Sequence, residues 1–321
     1  MFQYVRATYK ALGGLFICLL LQACAGTPQS DALLASTSNP FLRPVDLSQV
    51  PFFAQQAYQC GPAALATILN QQGIRVTPEQ LTDKIYIPQR QGSLQIEIIR
   101  TVREFNLVPY VIEHDLDSLL VEVKAGRPVL VLQNLGVSWY PKWHYAVVVG
   151  YNLQDEQIIL RSGEIRRYVV NMRTFEHTWR RSTYWGLLAL RPDELPVQPD
   201  RWVYFKSIAA FEQTQNWTVL NQAYQTALQQ WPNDRDFLMG YGTALYLQKR
   251  LDEAAVYYAK VLSEADYAPA HNNLAQVLAE QGKFAQAFSH ARKAIEIGGV
   301  HSEQYRATLT EIQQLKSKAI H

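Results

Sequence analysis

Cys60 and His144 have the side-chain types and the settings needed for sulfur nucleophilic catalysis. Cys60 stands in Gln59-Cys60-Gly61-Pro62-Ala63-Ala64-Leu65, where Gly61 and Pro62 suit a tight helix entry. The small and apolar residues that follow carry a helix toward Gly73. A thiol at a helix N-terminus meets exposed N–H groups and the positive end of the macrodipole, so this placement predicts a depressed thiol pKa. A buried structural cysteine would more often lie in the middle of an apolar face.

A thiolate needs a base. His144 opens Trp143-His144-Tyr145-Ala146-Val147-Val148-Val149-Gly150-Tyr151, placing an imidazole at the mouth of a strongly apolar strand. An imidazole so placed, far in sequence from one cysteine, is the arrangement of a cysteine-histidine pair; read alone it better fits a core histidine capping a strand, and the Cys60 motif reverses that preference. His114, in Glu113-His114-Asp115, reads as a solvated corner, and His177 lies in a charged segment with no special setting. If residues 152–156 form a hairpin turn, the chain near residue 162 returns beside His144, whereas Asn152 and Asp155 lie roughly 25 Å away at about 3.3 Å per residue. Ser162, or a backbone carbonyl there, is therefore the expected orienter of the imidazole, without the charge of a carboxylate.

The elements that must position these groups occupy only part of the chain. It has 321 residues, 48% hydrophobic and 18% charged, which excludes wholesale disorder and a coiled-coil rod and predicts two domains. A net charge of +2, from 30 basic and 28 acidic side chains, argues against a nucleic-acid binder. Residues 1–23 read as a signal peptide: Arg6 and Lys10 precede an apolar run over 11–21, too short for a comfortable span, and no acidic residue precedes Asp31. Leu21-Gln22-Ala23-Cys24 resembles the lipobox of bacterial lipoproteins, which implies acylation of Cys24 and attachment to the cell envelope. By the same analogy, Ala25 after the cysteine implies the outer membrane, facing the periplasm. With Cys18 in the signal and Cys24 lipidated, Cys60 is left without a disulfide partner.

Residues 24–45, rich in Thr, Ser, Ala, Pro and Asn, read as a flexible tether. Residues 46–191 alternate helical and strand patterns, and residues 192–201, with prolines at 192, 196 and 199, read as a linker. Residues 202–321 are helical throughout and carry an internal repeat. Trp217, Leu251 and Phe284 recur at steps of 34 and 33, together with Leu220, Ala254 and Ala287, and with the pairs Ala227-Leu228, Val261-Leu262 and Ala294-Ile295. Gly242 and Ala275 occupy the small position of the first helix in their units. This pattern resembles tetratricopeptide repeats, three units over 202–299 with a capping helix over 303–319, and implies a concave surface for a protein partner.

The Cys-Gly-Pro-Ala-Ala-Leu helix and the His-Tyr-Ala-Val-Val-Val-Gly-Tyr strand, in that order, resemble the bacteriocin-processing, double-glycine-leader type of papain-like cysteine peptidase. Gly92-Ser93-Leu94, opening a helix toward Phe105, belongs to the same likeness. The resemblance implies an α+β papain-like domain followed by an all-α tetratricopeptide solenoid. It implies Cys60 as nucleophile, His144 as general base and acid, and Gln55 as the oxyanion-hole glutamine, with Gln56 and Gln59 as alternatives. The departure is the third member: where that family has a strand ending in Asp-Pro, this chain has Gln157-Ile158-Ile159-Leu160 leading into Arg161-Ser162-Gly163.

Arg161, Arg166, Arg167, Arg173, Arg180 and Arg181 concentrate positive charge near the expected site and read as solvated faces, or as an attractor of an acidic peptide or substrate carboxylate. No metal-ligand spacing, phosphate-binding glycine loop or dinucleotide fingerprint occurs, so no cofactor is expected. The expected protein is a lipid-anchored cysteine peptidase that takes a peptide or protein substrate and binds a partner through its repeats. A catalytically silent peptide-binding lipoprotein and a papain-like thiol amidase or acyltransferase are the alternatives.

Overall fold

The structure is a computed structural model that describes residues 26–36, 38–55 and 59–320. The expected signal peptide, Cys24 and Gln56 lie outside the described residues. The described residues group into two compact units, one of residues up to 67 with 112–186, the other of 68–111 with those from 187 onward.

In the first unit, runs of Val, Leu, Ile and Tyr make an antiparallel meander of β5 (Val129–Asn134), β6 (Trp143–Asn152), β7 (Gln157–Ser162) and β8 (Ile165–Asn171). β-Branched and aromatic side chains suit a pleated surface, and the unbroken apolar runs of β5 and β6 match their burial on both faces. β8 is the edge strand and is largely exposed, with Arg166 and Arg167 as charges that discourage further pairing. The short β1 (Val45–Asp46) pairs with the far end of β6 opposite Tyr151 and Gly150. Gly150 is required there, because a Cβ would collide with the carbonyl oxygen of Val45. Residues 153–156 make the β6–β7 turn, as expected.

The helices of this unit begin where the sequence supplies caps. Asp115 accepts from the Ser118 N–H to start α5 (Leu116–Lys124), and Asn171 accepts from the N–H groups of Arg173 and Thr174 to start α6 (Met172–Arg180). α2 (Cys60–Gln71) starts at the cysteine, as its Gly-Pro entry predicts, and gives way to Gly73 with φ of +82°.

The tether expected over 24–45 is corrected by the structure. Pro28–Ala35 forms a helix, α1, with Ser30 and Leu33 buried. The fully buried Glu176 of α6 explains it: its carboxylate accepts from the N–H groups of Gln29 (3.2 Å) and Ser30 (2.7 Å), anchoring the positive end of α1. Gln29 adds a bridge, donating to the His114 carbonyl and accepting from the Leu116 N–H. Composition alone missed this because the anchoring carboxylate lies far along the chain.

The second unit begins with α3 (Pro78–Ile85), the hairpin of β2 (Tyr86–Ile87) and β3 (Gly92–Ser93), and α4 (Gln95–Glu104). β4 (Val108–Val111) then pairs antiparallel with residues 187–190 of β9 (Gly186–Leu190). Helices follow in pairs: α7 (Arg201–Ala209) with α8 (Trp217–Gln230), α9 (Arg235–Leu247) with α10 (Leu251–Glu264), and α11 (Ala268–Glu280) with α12 (Phe284–Ile297), then α13 (Ser302–Ile320). Trp217, Leu251 and Phe284 each open the second helix of their pair, so the repeat read from spacing is the repeat of the structure. Leu220, Ala254 and Ala287 are fully buried at equivalent points, and a Cβ on Gly242 would lie 2.8 Å from the Tyr258 ring. The expected α+β domain followed by an all-α repeat array is therefore the architecture observed.

The compact units are not divided at 192–201, where the proline-rich composition places a linker. Asp200 N–H donates to the Tyr110 hydroxyl at 2.9 Å and Thr226 Oγ1 to the Pro192 carbonyl at 2.9 Å, so this stretch is held within the second unit. The reason is topological: the strand that leads into the helices is itself paired with β4. No helix among the described residues is long and apolar enough to cross a membrane.

Candidate active site

His144 is the second residue of β6 and Ser162 the last of β7, and His144 Nε2 lies 2.8 Å from Ser162 Oγ. The register explains the contact. Val147 pairs with Arg161, which brings Ser162 level with Ala146, diagonal to His144 on the same face of the hairpin. The same alternation sends the preceding side chain, Arg161, to the other face. Asn152 and Asp155 are bonded to each other at 2.6 Å in the turn at the opposite end of the hairpin, away from the imidazole.

Cys60 and Gln55 both converge on Tyr145, the residue after His144. Gln55 Nε2 donates to the Tyr145 carbonyl at 3.4 Å, and its backbone N–H donates to the Gly163 carbonyl at 3.0 Å. The Cys60 thiol, half-buried, is served by the N–H groups of Tyr145, Gly61 and Cys60 itself. Of the alternative glutamines, Gln59 accepts through its carbonyl from the Ala63 N–H in the first turn of α2. Four residues named from the sequence, Gln55, Cys60, His144 and Ser162, thus gather about one end of β6.

The depressed thiol pKa expected of Cys60 is corrected. Burial pushes the thiol above its ordinary value, and the three N–H groups offset only part of that rise. A helix end favours the thiolate, but desolvation of a compact anion is the larger effect here. Burial also lowers His144, to about 4. At neutral pH the resting pair is therefore a thiol and a neutral imidazole. In the tautomer that donates Nε2–H to Ser162 Oγ, Nδ1 keeps its lone pair and can take a proton.

The other histidines of the unit stand outside this cluster. His114 is exposed, and His177 Nε2 lies 2.7 Å from the Arg181 guanidinium. Among the described residues no group of three or more His, Cys, Asp or Glu side chains is gathered as a metal site.

Of the arginines expected on solvated faces, Arg166 and Arg167 do lie exposed and Arg161 is buried, and all six also act as fasteners. Arg161 is only 3% exposed and donates to the carbonyls of Leu47, Ser48 and Val50, and to that of Arg166. Arg166 reaches the Ser48 carbonyl, Arg167 pairs with Asp46 at 2.7 Å, and Arg173 pairs with Asp31 and Glu156. Arg180 donates to the Gly26 carbonyl at 2.8 Å, and Arg181 to the carbonyls of Asn134 and Gly136. Five of the six hold the segment over 26–50 in place, and Arg161 does so from the residue beside Ser162. Arg161 is the positioning residue that sequence reading missed; its signal was a lone charge after the apolar run Ile158-Ile159-Leu160.

Cys60, at the start of α2, and His144, beside Tyr145 in β6, are thus carried on an α+β scaffold. Residues 47–186 match the Peptidase C39-like family, and residues 221–269 and 272–298 match tetratricopeptide repeats, so the chain carries a Peptidase C39-like domain followed by tetratricopeptide repeats. Among solved structures, it is similar to a C39-like peptidase from Bacillus anthracis at 17% identity, covering 46% of this chain and 98% of that one with a TM-score of 0.40. It is also similar to the peptidase domain of Streptococcus ComA, a bi-functional ABC transporter of a quorum-sensing pathway, at 18% identity, covering 44% and 98% with a TM-score of 0.37. A third likeness is to the Yersinia enterocolitica type III secretion chaperone SycD, solved with a peptide of the translocator YopD, at 18% identity, covering 35% and 92% with a TM-score of 0.33. No curated protein matches the chain.

Proposed function

We propose that the protein is a cysteine peptidase held at the envelope membrane by acylation of Cys24, with its body facing the periplasm from the outer membrane and its repeats recruiting a protein partner or substrate. The observation that carries the catalytic part is the His144–Ser162 hydrogen bond, which fixes one ring nitrogen and leaves the other for the thiol. Because thiol and imidazole are both neutral at rest, the proton moves as the bond forms. Cys60 Sγ attacks the amide carbonyl carbon, its proton passes to His144 Nδ1, and the oxyanion takes hydrogen bonds from the Cys60 N–H and the Gln55 amide. Collapse breaks the C–N bond, the imidazolium gives its proton to the leaving amine, and water, deprotonated by His144, hydrolyses the thioester. For the oxyanion Gln55 has a second N–H on Nε2, since only one is directed to the Tyr145 carbonyl at 3.4 Å.

The test is cleavage of a peptide library by the full chain beside Cys60→Ser and His144→Ala. The proposal requires turnover in the parent and its loss in both variants. Turnover that survives Cys60→Ser, or a parent that binds peptide without cleaving it, sinks the peptidase reading. The silent binder is the second reading, favoured by the uncharged Ser162 where the resembling family has a carboxylate, and by the raised thiol pKa. An amidase or acyltransferase would show itself by acting on non-peptide amides or by requiring an amine acceptor.

A further inference from the structure

We infer that the loop between β5 and β6, residues 135–142, together with Trp143 at the head of β6, is a second membrane-contacting element that lies in the lipid headgroup region. This rests on the anchoring part of the proposed function. The segment Leu135-Gly136-Val137-Ser138-Trp139-Tyr140-Pro141-Lys142-Trp143 is the densest run of exposed large apolar side chains among the described residues. Trp139 is 86% exposed, Tyr140 64% and Trp143 53%, with Leu135 and Val137 also on the surface. Such a patch in water marks a place where something else is bound.

The loop's backbone is not loose. Leu135 N–H donates to the Lys142 carbonyl at 2.9 Å, and Val137 and Tyr140 exchange backbone hydrogen bonds of 3.2 and 3.1 Å. Buried Asn134 accepts through Oδ1 from the N–H groups of Gly136 and Lys142, both at 2.9 Å. Arg181 grips the carbonyls of Asn134 and Gly136 from outside. A Cβ on Gly136 would collide with the Tyr140 carbonyl oxygen, so the turn closes only on glycine. The aromatic side chains are thus presented by a preformed frame, which lowers the ordering cost of binding.

Three observations select a bilayer as the occupant. Trp and Tyr beside an exposed Lys142 is the chemistry that settles at a membrane–water interface, apolar rings inward and polar edges outward. The first described residue is tied to the helix end that holds the loop: Arg180, next to Arg181 at the end of α6, donates to the carbonyl of Gly26, two positions along the sequence from Cys24. The first described residue and the loop are thus fastened by adjacent residues at one helix end. Finally, strand alternation places Trp143 on the face opposite His144, which argues against a substrate subsite.

The experiment places the full chain in vesicles of phosphatidylethanolamine and phosphatidylglycerol with brominated acyl chains, which quench only tryptophans within reach of the lipid. The quenched part of the fluorescence is expected to fall about two-fold or more in the Trp139→Phe, Trp143→Phe double variant, because phenylalanine keeps the contact while removing the reporter. An unchanged quenched fraction, or no quenching in the parent, overturns the inference. So does a double variant that quenches like the parent but raises KM for peptide cleavage, which would reassign the loop to substrate. Intact mass reads acylation of Cys24 separately: a chain without acyl mass sinks the lipid-anchor reading, while the loop is still judged by its own quenching.

Discussion

Ser162 Oγ and His144 Nε2 meet at 2.8 Å from successive strands, 18 positions apart in the chain. A serine in this position orients an imidazole without charging its surroundings. Burial therefore acts on His144 without an opposing carboxylate and holds its pKa near 4. The site is built to keep a base neutral rather than to store an ion pair.

The pH dependence follows with a definite sign. Between about 4 and 6.5 the unfolded chain protonates this histidine and the folded chain does not, so stability rises with pH across that window and is lost on acidification through it. The loss from this group is up to about 3 kcal/mol. His144→Phe removes its share of the slope, measurable as urea midpoints between pH 4 and 7. Peptide cleavage, if present, keeps its acidic limb near 4.

Iodoacetamide reports the other member of the pair. Alkylation of Cys60, followed by intact mass, is expected to be slow at neutral pH and to rise with a midpoint above 9.0, since burial disfavours the free thiolate. Fast alkylation below pH 7 would show an ion pair that the site's desolvation argues against.

Ser162→Ala should lower kcat about ten-fold, the worth of one hydrogen bond near 1.5 kcal/mol, with little change in KM. Ser162→Asp puts a carboxylate against Nε2 and should raise the acidic limb by about one pH unit or more. Identical pH profiles for the parent and Ser162→Asp would show that Ser162 does not touch the working imidazole.

Arg161→Met strands the carbonyls of Leu47, Ser48 and Val50, and should cost about 2–4 kcal/mol, read as a lowered melting transition of the full chain. Faster amide hydrogen exchange over 47–55 should accompany it, because the fork that pins this segment is gone. Exchange unchanged there would mean that the segment is held by other contacts.

Gly242→Ala tests the repeat packing. The added methyl meets the Tyr258 ring at 2.8 Å, closer than carbon atoms sit, and should cost about 1–3 kcal/mol despite the better helix propensity of alanine. A stabilised variant would show that the ring moves aside freely.

Periodicity and local chemistry were legible along the chain. The 34- and 33-residue steps of Trp217, Leu251 and Phe284 are set by the length of a helix pair, and Gly61-Pro62 after Cys60 marks a helix start by backbone sterics alone. The return of Ser162 toward His144 was likewise readable, because a hairpin turn and a rise per residue determine which positions meet. Those features depend on neighbours within one or two elements.

Tertiary structure decided what depends on distant groups. Glu176 turns residues 28–35 from an unpatterned stretch into a helix, and no window around those residues contains that carboxylate. Arg161 reads as a solvated charge until the carbonyls of Leu47, Ser48 and Val50 surround it. The protonation of Cys60 depends on distant groups in the same way. A helix N-terminus is visible in sequence and favours the thiolate, but desolvation is a property of everything packed around the sulfur, and here it is the larger effect. Local pattern specifies most of the elements and the residue types they carry; how dry each group is and which remote partner it meets come from packing, because burial sums over the whole neighbourhood.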